Sequence, residues 1–546
     1  MLQWKRKKKN IKEARNLKNL LKKYSDTNPE KFNKEFIMSR EDTGVLQYVK
    51  DIFKALEILN EIKVESVTIE TDESQFGPIK SGHKYYKGIL QSRLNRIHYK
   101  LRITPNETVP NFPILEEDSK PREFVENENT FTREGDIYLN KLVDNCFYIN
   151  EGVRYYLIYQ IVDNATYGTN ECVSLKSLLM PITIRYHEII ATPEFMETPI
   201  NLKSFEVLLF SKKINPIMYI FGKDAYNSLV KMDVQNQDNL ISEWQAYEDP
   251  TLIDKFNAFF HTDIKFADKI TDFEEDPTRV IFKIGSNGKD QCCYISVDRE
   301  KLEKDQLTRV VVGSLLDIRM DTKKNLSFTY SDIIRPWFWI DKLSTPFTKN
   351  TDSMKKFEKT KTMLISLDRL VDDATRNILN IAAEDKKNTL TIIRYILREF
   401  ETLVNSDNQD LDNKRLRLYE YQTYSLRKYF SDQIYRVLNS STRSKAVLDR
   451  MFSNLSPMFI IKQTVVNELL RYYNATNEIN LYASLLKYTF RGPQSLNKTV
   501  SMEQRDLHPS YAGRLSLIAA ASGDPGLSGT LTPFVETYNN YFKKQN

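Results

Sequence analysis

The sequence predicts a multidomain α+β protein, and three observations carry that prediction. The chain is 546 residues long, more than one hydrophobic core serves, and at about 150 residues per domain it divides into roughly three or four units. Strand and hairpin signals recur through residues 60–350. From 355 to 490 the apolar pattern turns almost entirely helical.

Taken in order, residues 1–30 read as a basic helix, KRKKKNIKEARNLKNLLKK, with Leu17, Leu20 and Leu21 on a weak apolar side. An arm on nucleic acid and a solvated surface helix are both open readings. Between 60 and 160 come the strand-like KVESVTIET and KYYKGIL, then the Pro-rich loop ITPNETVPNFPILEEDSKP. Cys146–Ile161, CFYINEGVRYYLIYQI, is a hairpin candidate: Phe147–Ile149 and Val153–Ile158 are β-formers, and Asn150-Glu151-Gly152 supplies the turn. Residues 165–350 read as mixed α/β without repeats, with a second hairpin signal around Asn287-Gly288. The acidic TDFEEDP (Thr271–Pro277) lacks a His partner and calcium-loop spacing, so it reads as a solvated loop. After RPWFWI the pattern becomes helical. In LRLYEYQTYSLRKYFSDQIYRVLN, Leu416, Tyr419, Leu426, Phe430, Ile434 and Val437 fall on one stripe, with Arg417, Arg427, Lys428 and Arg436 mostly off it. A glycine-rich stretch, 491–533, and a polar tail follow.

Composition narrows the function classes. With 41% hydrophobic and 28% charged residues, the chain is of ordinary globular type rather than disordered or fibrous. No apolar run approaches the roughly 20 residues that span a bilayer, and MLQWKRKKKNIK lacks the apolar core of a signal peptide, so no membrane partner is expected. Cys146, Cys172, Cys292 and Cys293 show no Cys-x-x-Cys spacing, which favours a reducing compartment without structural zinc. His83, His98, His187, His261 and His508 form no metal-ligand pair. A phosphate loop, a dinucleotide fingerprint and a Gly-x-Ser-x-Gly elbow are also missing. No catalytic or metal-binding residue is expected in this chain, and no cofactor bound by it.

One region stands apart. Arg505–Gly529, RDLHPSYAGRLSLIAAASGDPGLSG, holds four of the sixteen glycines and one of the five histidines. Arg505, His508 and Arg514 surround a Pro-stiffened turn, and FRGPQSLNK just upstream adds Arg491 and Lys498. Glycine-loosened backbone of this kind approaches a phosphate or another chain closely. A tight connector with surface cations is the plainer reading.

These residues carry a resemblance. FRGPQSLNK followed by RDLHPSYAGR resembles the fork region of the β subunit of multi-subunit DNA-directed RNA polymerases, through Arg505, Asp506, His508, Pro509, Gly513 and Arg514 at the family's spacing. CFYINEGVRYYLIYQ is similar to that family's upstream hairpin, through Phe147, Ile149, Asn150, Arg154 and Gln160. LDNKRLR (Leu411–Arg417) is similar to a block that in the family opens a long helix. The blocks fall in the family's order and cover about a fifth of the chain. AAASGDPGLSG replaces the family's Thr-Pro-Glu-Gly-x-Asn-Ile-Gly, and Gln409 stands where the family has Asp.

The resemblance implies the N-terminal half of a split β subunit, most similar to those of giant tailed bacteriophages. Its β-like parts would be a protrusion (1–160 and the return helices 406–487), a lobe (161–405) and an incomplete fork (488–546). The chain would form one wall of the DNA/RNA-hybrid cleft for viral transcription, part of a nucleotidyltransferase without holding the complete active site. Mg2+ would be held by a β′-like subunit. Partners implied are a β C-terminal-half polypeptide, β′-like polypeptides, a promoter-specificity subunit, template DNA and nascent RNA. The compartment would be the cytoplasm of the infected bacterium, with packaging in the virion left open. Arg491, Lys498, Arg505, His508 and Arg514 would face the hybrid or the downstream edge of the bubble. Asn413, Lys414, Arg415 and Arg417 would face nucleic acid or brace the fork from behind. Two other readings stand beside this one: a stand-alone nucleic-acid-binding or virion scaffold protein, and a metal-dependent nuclease using Asp272 and Asp276.

Overall fold

The computed structural model describes residues 42–59, 61–71, 94–105, 126–143, 147–150, 152–169, 171–177, 181–209, 212–232, 240–273, 276–287, 291–318, 329–348 and 352–368. It further describes 370–417, 420, 423–440, 443–461, 469–474, 477–492, 505–518, 526–532, 535, 537–538 and 541–542. The basic segment 1–30, KYYKGIL, most of the Pro-rich loop and Lys498 lie outside these residues.

Mixed α and β structure is distributed over two hydrophobic clusters. The larger cluster takes in residues from Val45 to Ile460. On one side of it, strands Ile62–Glu70, Leu94–Ile103 and Phe131–Asn140 form an antiparallel sheet in that order. Leu94–Ile103 alternates between fully and partly buried side chains along most of its length, the two-residue period of a strand with one face on the core. A five-stranded meander runs from Thr166–Thr169 to Lys212–Ile214, with long antiparallel partners Ile182–Ala191 and Ile200–Leu209 at its centre. Helix Pro216–Lys231 starts where Asn215 Oδ1 accepts the Ile217 N–H at 3.0 Å, with proline at its first turn. It is buried nearly all round. Phe221 on this helix stacks against Trp339 and Phe256, ring centroids 4.1 and 4.3 Å away.

Several sequence expectations are met here. The hairpin at Asn287 forms, Arg279–Asn287 pairing antiparallel with Gln291–Asp298. Helices Ser353–Asp368 and Thr389–Arg398 form, the latter burying Ile392, Ile393, Ile396 and Leu397. In the acidic loop, Asp272 accepts the Lys269 N–H and Asp276 accepts from Thr278, so both serve local turns.

The almost entirely helical reading of 355–490 is corrected: strands Lys414–Arg417, Leu470–Tyr472 and Lys487–Thr489 interrupt it. The helical pattern does not begin at Leu416, and LDNKRLR does not open a helix: Lys414–Arg417 is a β-strand, and the helix spans Tyr424–Asn439. Arg, Lys and Leu are good helix formers, but cross-strand hydrogen bonding and burial override that modest preference. The stripe on the helix is right from Leu426 onward, since Leu426, Phe430, Ile434 and Val437 are all buried.

The second cluster is smaller and is assembled from distant segments: 147–161, 411–416 and 469–542. The predicted upstream hairpin is here, Tyr148–Asn150 pairing with Val153–Leu157, and Leu470–Tyr472 adds a third strand. Beside it lies a six-stranded sheet. Its strands run spatially Ser528–Thr530, Lys487–Thr489, Tyr159–Asp163, Lys414–Arg417, Tyr541–Phe542 and Thr537–Tyr538.

Candidate nucleic-acid interface

The centre of that sheet is where the candidate residues meet. Strand Tyr159–Asp163 is flanked by Lys414–Arg417, antiparallel, and by Lys487–Thr489, parallel. The end of the upstream hairpin block, LDNKRLR and the strand that leads into FRGPQSLNK are therefore neighbours in one sheet although they are far apart in sequence.

Gln160 is the joint. It is fully buried, its Oε1 accepts from Arg417 Nε at 2.7 Å, and its Nε2 donates to the Arg491 carbonyl at 3.0 Å. Beside it the loop turns through Gly492 at φ 119°, left-handed backbone that side chains rarely adopt. A Cβ there would come within 2.9 Å of Gln160 Nε2 and 3.2 Å of Leu469. Glycine fits this position for both reasons.

Eight of the nine candidates lie among the described residues, and they divide by what already holds them. Arg415 and Glu420 form a two-pronged pair, at 2.9 and 3.2 Å, with both side chains at most 5% exposed. Burial opposes the Arg415 charge, but the Glu420 carboxylate more than offsets it and holds the guanidinium above its ordinary range. Burial likewise opposes the Glu420 charge, and Arg415, then Arg417 and Arg427, hold that carboxyl below its ordinary value. Arg417 is as deeply buried, and desolvation, set against Glu420, lowers it to about 10, still charged at neutral pH. Lys414 sits 2.5 Å from Asp163, which Lys176 also reaches at 3.2 Å. Burial would raise the Asp163 carboxyl, yet Lys414 and then Lys176 bring it below its usual value. Arg514 is buried against Asp412 at 2.7 Å, and Asn413 donates to the Asp407 carbonyl.

The remaining candidates are less enclosed. His508 caps the short turn Pro509–Tyr511: its Nδ1 accepts the Ser510 N–H, leaving Nε2 to face Asp407 at 3.2 Å. Ser510 Oγ also accepts the Leu411 N–H, so the fork turn is tied to the start of LDNKRLR. Arg491 and Arg505 are half-buried, and Arg505 Nε has no hydrogen-bond partner among the described residues. The Arg505 backbone lies against Gly526, where a Cβ would meet the Arg505 carbonyl at 2.7 Å.

Sequence reasoning missed Glu420, Asp412, Asp407 and Asp163, the carboxylates that engage these cations. Only Gln160 had a signal, as part of the hairpin motif. Among the described residues no group of three or more His, Cys, Asp or Glu is placed to hold a metal ion, and no helix is long and apolar enough to cross a membrane.

Comparison with known proteins decides the family. The family model described as non-virion RNA polymerase subunit matches residues 12–544. The chain belongs to that family. It is thus a subunit of a viral RNA polymerase, a nucleotidyltransferase assembly in which other polymerase subunits are its partners. No curated protein matches the sequence of this polymerase subunit.

Proposed function

We propose that this polymerase subunit is the N-terminal portion of a split, β-like subunit and forms one wall of the DNA/RNA-hybrid cleft. The observation that carries the proposal is the meeting of its three β-like sequence blocks around one buried side chain: Gln160, at the end of the hairpin block, pairs in the sheet with Arg417 of LDNKRLR, accepts from its Nε and donates to the Arg491 carbonyl of the fork stretch. Blocks that belong to one functional unit are expected to meet in space, and unrelated chance matches are not.

In this reading the cations have two roles. Arg415, Arg417, Lys414 and Arg514, with Asn413, brace the wall through internal partners. Arg491, Lys498, Arg505 and His508 face the nucleic acid, contacting phosphates without reading bases, because a polymerase must accept any sequence. The protrusion comprises 1–160 and 406–487, the lobe 161–405 and the fork start 488–546. Mg2+ and its carboxylate ligands belong to a β′-like subunit, and the rest of the fork to a β C-terminal-half polypeptide. The family's description favours synthesis in the infected host's cytoplasm over packaging in the virion, and a polymerase part over a stand-alone scaffold.

The test is reconstitution. Co-expressed with the other polymerase subunits of its genome, the chain should purify at fixed stoichiometry, and a photo-crosslinker at position 505 should label the nucleic acid of an elongation scaffold. RNA elongation by the purified chain alone, or no labelling from position 505 in an active complex, would overturn the proposal.

A further inference from the structure

The three-stranded sheet beside the fork module carries a tyrosine pair that the proposed cleft contacts do not use, Tyr472 exposed and Tyr155 partly buried against the smaller hydrophobic cluster. Tyr155 and Tyr472 lie directly opposite each other on adjacent antiparallel strands, and their rings sit 4.9 Å apart at 34°. Tyr472, on the edge strand, is 68% exposed, and Val153, on the same face as Tyr155, is 40% exposed. A large aromatic residue this open on an edge strand is unusual in a packed protein.

The two charged residues on its three strands are both arginines. Alternation along the strands sends Arg154 and Arg471 to the other face of this narrow sheet, where they are diagonal neighbours. Both are exposed, with Arg154 lying over the Phe147 ring at 5.6 Å. One sheet edge therefore carries a π surface on one side and guanidinium groups on the other. A protein partner covering this edge would need an apolar patch bordered by acid. A single nucleic-acid strand offers both halves together, bases to stack and phosphates to pair.

We propose that the Tyr155–Tyr472 pair is a stacking platform for single-stranded nucleic acid, with Arg471 and Arg154 binding the adjoining phosphates. The inference deepens the cleft reading, on which it rests, because a transcription complex holds both single-stranded DNA and RNA. Bases of any identity stack on the tyrosines, so the platform guides a strand without selecting sequence. The strand passes over the edge at Tyr472, outside the wall bearing Arg491 and Arg505.

Anisotropy of short labelled oligo(dT) and oligo(rU) titrated with the full-length chain tests this, the two probes separating DNA from RNA as the natural strand. Tyr472→Ala should weaken binding of at least one probe by roughly 5- to 100-fold, with no change in its salt dependence. Arg471→Ala should reduce the log–log salt slope by about 0.7. Tyr472→Trp should retain binding. Because Tyr472 is exposed on an edge strand, an unchanged unfolding temperature will verify that the variants are folded. Wild-type affinity in Tyr472→Ala overturns the platform. If Arg505→Ala still weakens binding in that case, the cleft reading survives without it. Should Tyr472→Ala instead reduce recovery of companion subunits while oligonucleotide binding holds, the face is a protein contact and the inference falls.

Discussion

Replacing Glu420 by glutamine isolates the contribution of the buried bracing. The substitution keeps side-chain size but removes the charge that faces Arg415 through two hydrogen bonds, where both partners are almost wholly enclosed. Arg417 and Arg427 also draw on the same carboxylate, so its loss leaves three guanidinium groups without their common counter-charge. Removing one member of a buried pair costs about 3–5 kcal/mol, against about 0–1 kcal/mol for a surface pair. For a cooperative unit of roughly 150–250 residues, each kcal/mol moves Tm by about 2–4 °C, giving a fall of roughly 6–20 °C. Scanning calorimetry of the full chain reads this shift. Salt should change it little, since enclosed charges are weakly screened. The double variant Arg415→Met with Glu420→Leu should recover only the part of the loss that comes from stranding Arg415, because Arg417 and Arg427 still lack the Glu420 charge. A Glu420→Gln shift within about 1 kcal/mol of wild type would refute the reasoning: the pair would then behave as a hydrated surface pair.

Further outcomes follow from neighbouring features. Asp372 is buried, which raises its carboxyl to about 6 against an unfolded value of 3.8. The folded chain binds that proton more tightly, so this group's contribution to stability falls as pH rises from about 4 to 6, by at most about 1.4 kcal/mol per pH unit. Asp372→Asn keeps the helix cap and should remove that component from denaturant titrations repeated across this window; an unchanged pH profile would contradict the assignment. Gly492→Ala must adopt φ 119° and displace Gln160 or Leu469, and should cost about 1–3 kcal/mol in chemical unfolding. Arg505→Ala should leave the unfolding temperature unchanged and lower the salt slope of elongation-scaffold binding by about 1.

The sequence was most legible where the signals are local. Asn150-Glu151-Gly152 and Asn287-Gly288 mark turns that β-forming runs flank, and both hairpins are found. The Leu426–Val437 stripe repeats at helical spacing, and the helix buries it. Legibility fails where a partner is remote. Lys414–Arg417 reads as helix from its own residues, and its pairing with Tyr159–Asp163, some 250 positions earlier, and with Tyr541 on the other side makes it a strand. The same holds for the cations. Nothing within RDLHPSYAGR signals that Arg514 is taken by Asp412, and nothing within LDNKRLR signals that Arg417 binds Gln160. Residue type announced positive charge, whereas tertiary burial decides whether that charge is offered outward or enclosed.

The order of strands in the six-stranded sheet has a consequence for biosynthesis. Tyr159–Asp163 leaves the ribosome early, but one flanking strand waits for position 414 and the other for position 487. At about 5–20 residues per second, the 331 residues between Gln160 and Arg491 take roughly a quarter of a minute to a minute to synthesise. Until position 414 emerges, Tyr159–Asp163 has neither lateral neighbour, and until position 487 it has only one, so it is open to adhesion by other nascent chains. Slower growth at low temperature, or co-produced chaperones, should therefore raise the yield of native protein.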